Sequence, residues 1–102
     1  MNVLLQIDFP YNGPFGEEMA SAFAPLAESI AQESGLIWKI WTENSETNEA
    51  GGIYLFEDRT SAEAYLAMHT ARLESFGVQG IRSKFFGVNE TLSHITNASW
   101  IA

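Results

Sequence analysis

Two histidines are the only side chains in this sequence that ordinarily titrate near neutrality, so an imidazole acting as acid, base or ligand must be His69 or His94. His69 is the stronger candidate. It follows Leu66 by three residues and precedes Leu73 by four, which on a helix places it on the apolar stripe that turns inward. A histidine there is either a satisfied core residue or a group presented to a pocket. Arg72 lies one turn later on a flank of the same helix. It could pair with a substrate oxygen or phenolate, or with an acid such as Glu63 or Glu74. Trp38 belongs to a strand face expected to meet the helices, and Tyr54 comes from the neighbouring strand. The two either wall an aromatic pocket beneath His69 or pack as ordinary core. Asn12, at the end of the first strand, either bonds a ligand carbonyl through its amide or makes a plain turn.

What the sequence lacks narrows the chemistry further. With no cysteine there is no disulfide, thiolate nucleophile or Cys-ligated metal. There is no G-x-S-x-G elbow, no glycine-rich phosphate loop, no H-E-x-x-H and no flavin or nicotinamide motif. Two isolated histidines argue against a dedicated metal site. The balance of 13 Asp and Glu against 5 Lys and Arg, a formal charge of −8, opposes nucleic acid and anionic membranes. The N-terminus lacks a basic leader, and no apolar run approaches the ~20 residues of a membrane span. A soluble, unprocessed and cytoplasmic protein is expected. Asn89-Glu90-Thr91 and Asn97-Ala98-Ser99 match the glycosylation pattern and read as chance matches.

The elements that must position these residues follow from periodicity. At 102 residues and 46% hydrophobic content, the chain is one domain. Val3, Leu5, Ile7 and Phe9 alternate with Leu4, Gln6 and Asp8, the period of a half-buried strand. Asn12-Gly13-Pro14 then turns the chain into a helix starting near Phe15 or Gly16, with Glu17 and Glu18 in its first turn. Met19, Phe23, Leu26 and Ile30 share its inner face and Gly35 follows its end. Pro25 predicts a bend after Ser21, or a split into two short helices. Leu36 to Glu43 reads as a second strand, with Leu36, Trp38, Ile40 and Thr42 on one face and Ile37, Lys39, Trp41 and Glu43 on the other. A long polar loop from Asn44 to Ala50 leads to a third strand, Gly51 to Phe56. Thr60-Ser61-Ala62-Glu63 fits a capping box for a second helix, whose stripe is Ala62, Tyr65, Leu66, His69, Leu73 and Phe76. Ile81 to Val88 is a fourth strand, and Asn89 to Trp100 a short helix or arm. The order gives the ferredoxin-like βαββαβ fold of class α+β, an antiparallel sheet with both helices on one face. The other sheet face then carries Gln6, Asp8, Lys39, Trp41, Glu43, Arg82 and Lys84. It is either solvated or paired with a second copy.

Six blocks, Asn12 to Gly16, Pro25 to Ile30, Trp38-Lys39, Trp41 to Glu43, Ala50 to Phe56 and His69 to Leu73, resemble the YdhR family of putative mono-oxygenases, in order and over most of the chain. The resemblance implies a dimeric α/β barrel, in which two ferredoxin-like sheets join face to face as a homodimer. The wider superfamily includes cofactor-independent mono-oxygenases acting on polycyclic phenols, haem-degrading enzymes and members without known activity, so fold alone does not decide the reaction. The function it implies is an O2-dependent mono-oxygenase acting on a small aromatic or quinol-like substrate, with no cofactor. His69 would be base or hydrogen-bond partner, Arg72 anion stabiliser, Trp38 and Tyr54 pocket walls, and Asn12 a substrate contact. A non-catalytic dimer binding an apolar small molecule is the competing reading, with haem binding or degradation a lesser one.

Overall fold

The computed structural model describes residues 2–98. Strand β1 (Val3–Pro10) is followed by helix α1 (Gly16–Ala31), strands β2 (Leu36–Asn44) and β3 (Glu49–Phe56), helix α2 (Arg59–Ser75), strand β4 (Arg82–Gly87) and a short helix α3 (Glu90–Ile95). The strands form one antiparallel sheet in the order β2-β3-β1-β4. Ile30 of α1 and Ala62 and Tyr65 of α2 pack with Val3, Leu5, Ile7, Tyr54 and Phe56 in a single core on one sheet face. This is the ferredoxin-like arrangement. The end of the C-terminal arm, with Trp100, and Ser99 of the second glycosylation pattern lie outside the described residues.

Cross-strand register decides which side chains share a face, because paired residues in an antiparallel ladder project to the same side. The inner rows are Val3–Phe56–Leu36, Leu5–Tyr54–Lys39 and Ile7–Gly52–Trp41, and Ala50 and Glu43 pair in the next. The outer rows are Leu4–Leu55–Trp38 and Gln6–Ile53–Ile40, extended by Phe86 and Lys84 of β4. A bulge between Leu36 and Trp38 makes this possible. Leu36 faces the helices, Ile37 is the extra residue, and from Trp38 onward the alternation is inverted. The expected facing of β2 is therefore corrected: Trp38 and Ile40 lie on the open sheet face, and Lys39, Trp41 and Glu43 lie under the helices. The open face is accordingly more apolar than expected, with Ile40 42% and Phe86 40% exposed on it.

Three local expectations also change. α1 runs unbroken through Pro25 as one 16-residue helix, and its first amide, Gly16 N–H, donates to Glu43 Oε1 at 3.0 Å. The inverted phase of β2 thus supplies a carboxylate to the helix N-terminus, where the dipole favours it. α2 starts before the anticipated capping box: Asp58 is the N-cap, its Oδ1 accepting Ser61 N–H at 2.7 Å. The loop between β2 and β3 is short, because both strands continue into it. Asn44 Oδ1 accepts the amides of Glu46 and Thr47 at 3.0 and 3.2 Å, and Asn48 closes the turn at φ 55°. Among the described residues no helix is long and apolar enough to cross a membrane.

At Gly51 the backbone of β1 approaches so closely that an added Cβ would fall on the Ile7 carbonyl oxygen and within 2.8 Å of Asp8 Cα. Neither neighbour is a flexible side-chain tip. Gly51→Ala should therefore cost about 3 kcal/mol of folding stability, the upper range for overpacking. Asp58→Ala should cost about 1 kcal/mol, the usual value of a lost cap. Denaturant unfolding midpoints measure both, and a Gly51→Ala protein as stable as wild type would refute the close approach.

Candidate active site

Between the inner sheet face and the two helices lies a cavity of about 1010 Å³. α1 contributes only apolar groups to it, including Met19, Phe23 and Leu26. The end of β1 and the segment after it bring Phe9, Tyr11 and Asn12, and the sheet floor brings Lys39, Trp41 and Tyr54. His69 and Leu73 come from α2, and residues 76–80 close the rim. The walls are an aromatic chain: Tyr11 lies 6.2 Å from Phe23, and Phe23 lies 6.4 Å from Trp41, centroid to centroid. Tyr54, Tyr65 and His69 form a second group, with Tyr65 and His69 stacked at 5.0 Å. No Asp or Glu is among the described residues lining the cavity, although acids dominate the chain.

Two nitrogen-bearing side chains, His69 and Lys39, line its inner end, and a third, Arg72, bonds His69. His69 is buried, 3% exposed. Its Nδ1 receives Arg72 Nη2 at 3.0 Å and Arg72 Nε at 3.3 Å. A guanidinium only donates, so Nδ1 is the accepting nitrogen and the ring's proton sits on Nε2. Burial first, then the charges of Lys39 and Arg72, push the imidazole down to about 3, so it is neutral at physiological pH. In that state His69 offers a hydrogen bond through Nε2–H and has no free basic nitrogen.

Lys39 is the second group. Its Nζ stands 3.4 Å from the Trp41 ring centroid and 4.7 Å from that of Tyr54. Its stem crosses Gly52 on the adjacent strand, where an added Cβ would fall on Lys39 Cε. Burial, with a smaller contribution from Arg72, lowers the amine to about 7, while the two ring faces act in the opposite sense by favouring the cation. Beside it Tyr54 accepts a hydrogen bond from Tyr65 at 3.3 Å. Burial pushes the Tyr54 phenol well above its ordinary value and that of Tyr65 up to about 12, so both remain protonated.

Of the residues singled out from the sequence, the fold brings Asn12, Tyr54 and His69 to the cavity. Arg72 does not line it but bonds His69 from behind, and Glu63 instead meets Arg59 at 3.8 Å on the surface. Trp38 is displaced to the opposite sheet face by the bulge, so it is not a wall of this cavity. Its place under His69 is taken by Lys39 and Trp41, which the alternation of β2 had assigned to the other face. The available signal was Gly51-Gly52: paired glycines in a strand mark a close approach, here by β1 and by the Lys39 stem. Among the described residues no group of three or more His, Asp or Glu side chains could hold a metal ion.

A profile of the family described as "Putative mono-oxygenase ydhR" matches residues 4–99. Among solved structures, the chain is similar to a variant of SnoaB, a cofactor-independent oxygenase from Streptomyces nogalater, with 22% identity over 89% of this chain and 96% of that one and a TM-score of 0.61. A putative antibiotic biosynthesis mono-oxygenase from Deinococcus radiodurans gives 11% identity over 85% and 92%, with a TM-score of 0.62. A protein of unknown function from Nitrosomonas europaea gives 15% over 86% and 89%, again at 0.62. These likenesses establish a shared fold. No curated protein sequence matches the chain.

The two depressed groups make stability depend on pH in a definite sense. As pH falls through about 6.5 the unfolded chain protonates His69, whereas the folded chain resists until about 3, so stability declines across that window. Between about 7 and 10.5 the unfolded chain holds the Lys39 proton and the folded chain has released it, so stability rises with pH there. Unfolding midpoints at about pH 7 and about pH 9 should differ in favour of the higher pH by more in wild type than in Lys39→Met. By NMR the His69 ring should titrate near 3. A ring midpoint near its ordinary value, or equal pH responses in the two proteins, would contradict the assignment.

Proposed function

Because the chain belongs to the YdhR family of putative mono-oxygenases, we propose that the cavity is the site of an O2-dependent mono-oxygenation of a small aromatic or quinol-like substrate that needs no added cofactor. The observation carrying this reading is the pairing of a large apolar, aromatic-walled cavity with cationic and hydrogen-bond-donating groups at one end and no lining carboxylate. Such a site favours the anion of a flat aromatic molecule over its neutral form. The anion is the reactive species. A quinol-like compound, or an anthrone as its enol, loses its hydroxyl proton, the resulting anion gives one electron to O2, and the two radicals combine at a ring carbon that bears hydrogen. Loss of hydroxide from the peroxide, with the proton on that carbon, leaves C=O. One oxygen atom is retained, the other leaves as water, and the substrate supplies all the electrons.

The roles of the chain's residues follow from their placement. His69 donates Nε2–H to the substrate oxygen on which negative charge collects. Arg72, bonded to Nδ1, fixes the tautomer and makes that donor stronger, so it is a positioning residue and stabilises the anion through the ring. Tyr54 and Trp41 hold the ring of the substrate, and Asn12 at the rim contacts its far end. The surrounding apolar groups keep water from the anion, which strengthens each of these contacts.

The apolar open sheet face supports the second part of the proposal, a homodimer with sheets face to face. Leu4, Trp38, Ile40, Ile53 and Phe86 lie on one surface of β1 to β4, a composition suited to burial against a second copy. Sedimentation equilibrium should give about twice the 11.3 kDa chain mass, and Ile40→Asp, placing a charge in that face, should shift the protein toward monomer. A wild-type monomer at assay concentrations would overturn this.

Oxygen uptake by the purified protein with anthrones, quinols and other polyphenols tests the activity. Enzyme-dependent uptake should fall about 100-fold in His69→Ala, as for removal of one donor to a developing oxyanion. Uptake no faster than autoxidation with folded protein would remove the oxygenase reading and leave a binder of apolar small molecules.

A further inference from the structure

Among the described residues at this site, Lys39 is the one with a basic nitrogen lone pair to offer. His69 has its accepting nitrogen occupied by Arg72, a guanidinium does not accept protons, and the Tyr54 phenol holds its own. The lysine is also held in place. Its stem lies in the space left by Gly52, and its Nζ is fixed between the faces of Trp41 and Tyr54 at the cavity floor. The titratable or charged groups around it are Tyr54 from β3, Tyr65, His69 and Arg72 from α2, and Tyr11 across the cavity, while α1 presents apolar groups only. The one nearby anion on its own strand, Glu43, is not among the described residues lining the cavity and accepts Gly16 N–H at the start of α1, so among the described residues the amine has no counter-ion in the cavity.

We propose that Lys39 is the group that takes the proton of a weakly acidic aromatic hydroxyl compound bound in the cavity, so that the ligand is held as its anion against the Lys39 ammonium. The inference rests on the reading of the cavity as the substrate site and adds to it the catalytic base and the ligand class. The ligand O–H bond breaks, its electron pair stays on oxygen, and Nζ gains the proton. A neutral phenol and a neutral amine become a phenolate and an ammonium. With the amine lowered to about 7, the acceptor is available at physiological pH, where an ordinary lysine is not. The phenolate then supplies the negative charge that the cationic end of the cavity lacks, and His69 Nε2–H is a further donor to it.

The test uses β-naphthol, whose neutral and ionised forms absorb and fluoresce differently, with naphthalene as the isosteric control lacking a hydroxyl, both without oxygen so that turnover plays no part. At about pH 8 free β-naphthol is neutral. Wild type should bind it as naphtholate with no proton released to the buffer, the bound anion outnumbering the bound neutral form about tenfold or more, which places the bound ligand's ionisation about one pKa unit or more below the assay pH. Lys39→Met should bind naphthalene as wild type does but hold β-naphthol neutral. Lys39→Arg, a permanent cation that cannot accept a proton, should ionise the ligand while releasing one proton per ligand to the buffer. Naphtholate in Lys39→Met, proton release from wild type, or neutral β-naphthol in wild type that still binds naphthalene would each overturn the base assignment while leaving the oxygenase reading standing. Failure of wild type to bind naphthalene would overturn the cavity as substrate site and the inference with it.

Discussion

The bulge between Leu36 and Trp38 is the constraint on which the cavity depends. In an antiparallel pair the side-chain period is two, so one extra residue inverts the facing of everything beyond it. Without it, Trp38 and Ile40 would project under the helices and Lys39, Trp41 and Glu43 would face outward. With it, three consequences arise together. An amine and an indole reach the floor of the cavity, a carboxylate reaches the N-terminus of α1, and two apolar side chains reach the open sheet face. Cavity chemistry, helix capping and the apolar exterior are thus coupled through one backbone irregularity. Gly52 completes the arrangement, since any side chain there would collide with the lysine stem that the bulge turns inward.

The electrostatics of the cavity run against those of the whole chain. Five cationic residues are set against thirteen acids, yet two of the five, Lys39 and Arg72, converge on one buried histidine, and no acid is among the described residues lining the cavity that Lys39 and the histidine face. Placing like charges in a poorly solvated site destabilises the free protein, which is why both the imidazole and the amine are lowered. The surrounding rings reduce that cost by offering negative faces to the ammonium, and Tyr65 stacks on the imidazole. What would complete the site is an anion of apolar body, and such a ligand gains on both counts, through its charge and through the aromatic walls.

Much of this was legible in the sequence. The period of two in β1 and the spacing of Met19, Phe23, Leu26 and Ile30 in α1 are strong signals, because each has one face buried in the core. The placement of His69 on the inner stripe of α2 followed from its distance to Leu66 and Leu73 alone. The facing of β2 was not legible. Both of its faces carry large apolar or amphipathic residues, so neither register of Leu36 to Glu43 is excluded by hydrophobicity, and a bulge has no composition of its own. For the same reason Trp38 looked like a pocket wall and Lys39 like a surface lysine. The bond between Arg72 and His69 was likewise hidden, since three residues along a helix suits an Arg–His contact and an Arg–Glu contact equally.

Mono-oxygenation without a cofactor asks little of a protein in covalent terms. The substrate brings the electrons, and O2 accepts them one at a time, which avoids the spin barrier to direct combination with a closed-shell molecule. What is then required is a substrate ionised at neutral pH, kept dry and held still. On the proposed reading each requirement falls to a feature that a small ferredoxin-like domain can provide. A lysine displaced from its ordinary range by burial accepts the proton, a neutral imidazole oriented by an arginine donates to the anion, and aromatic walls exclude water while matching a flat ring. A buried carboxylate would serve less well in the first role, because on accepting the proton it becomes neutral and leaves the anion it has produced without a counter-ion. A lysine becomes a cation on accepting the proton, so the same event that generates the reactive species also generates its counter-ion.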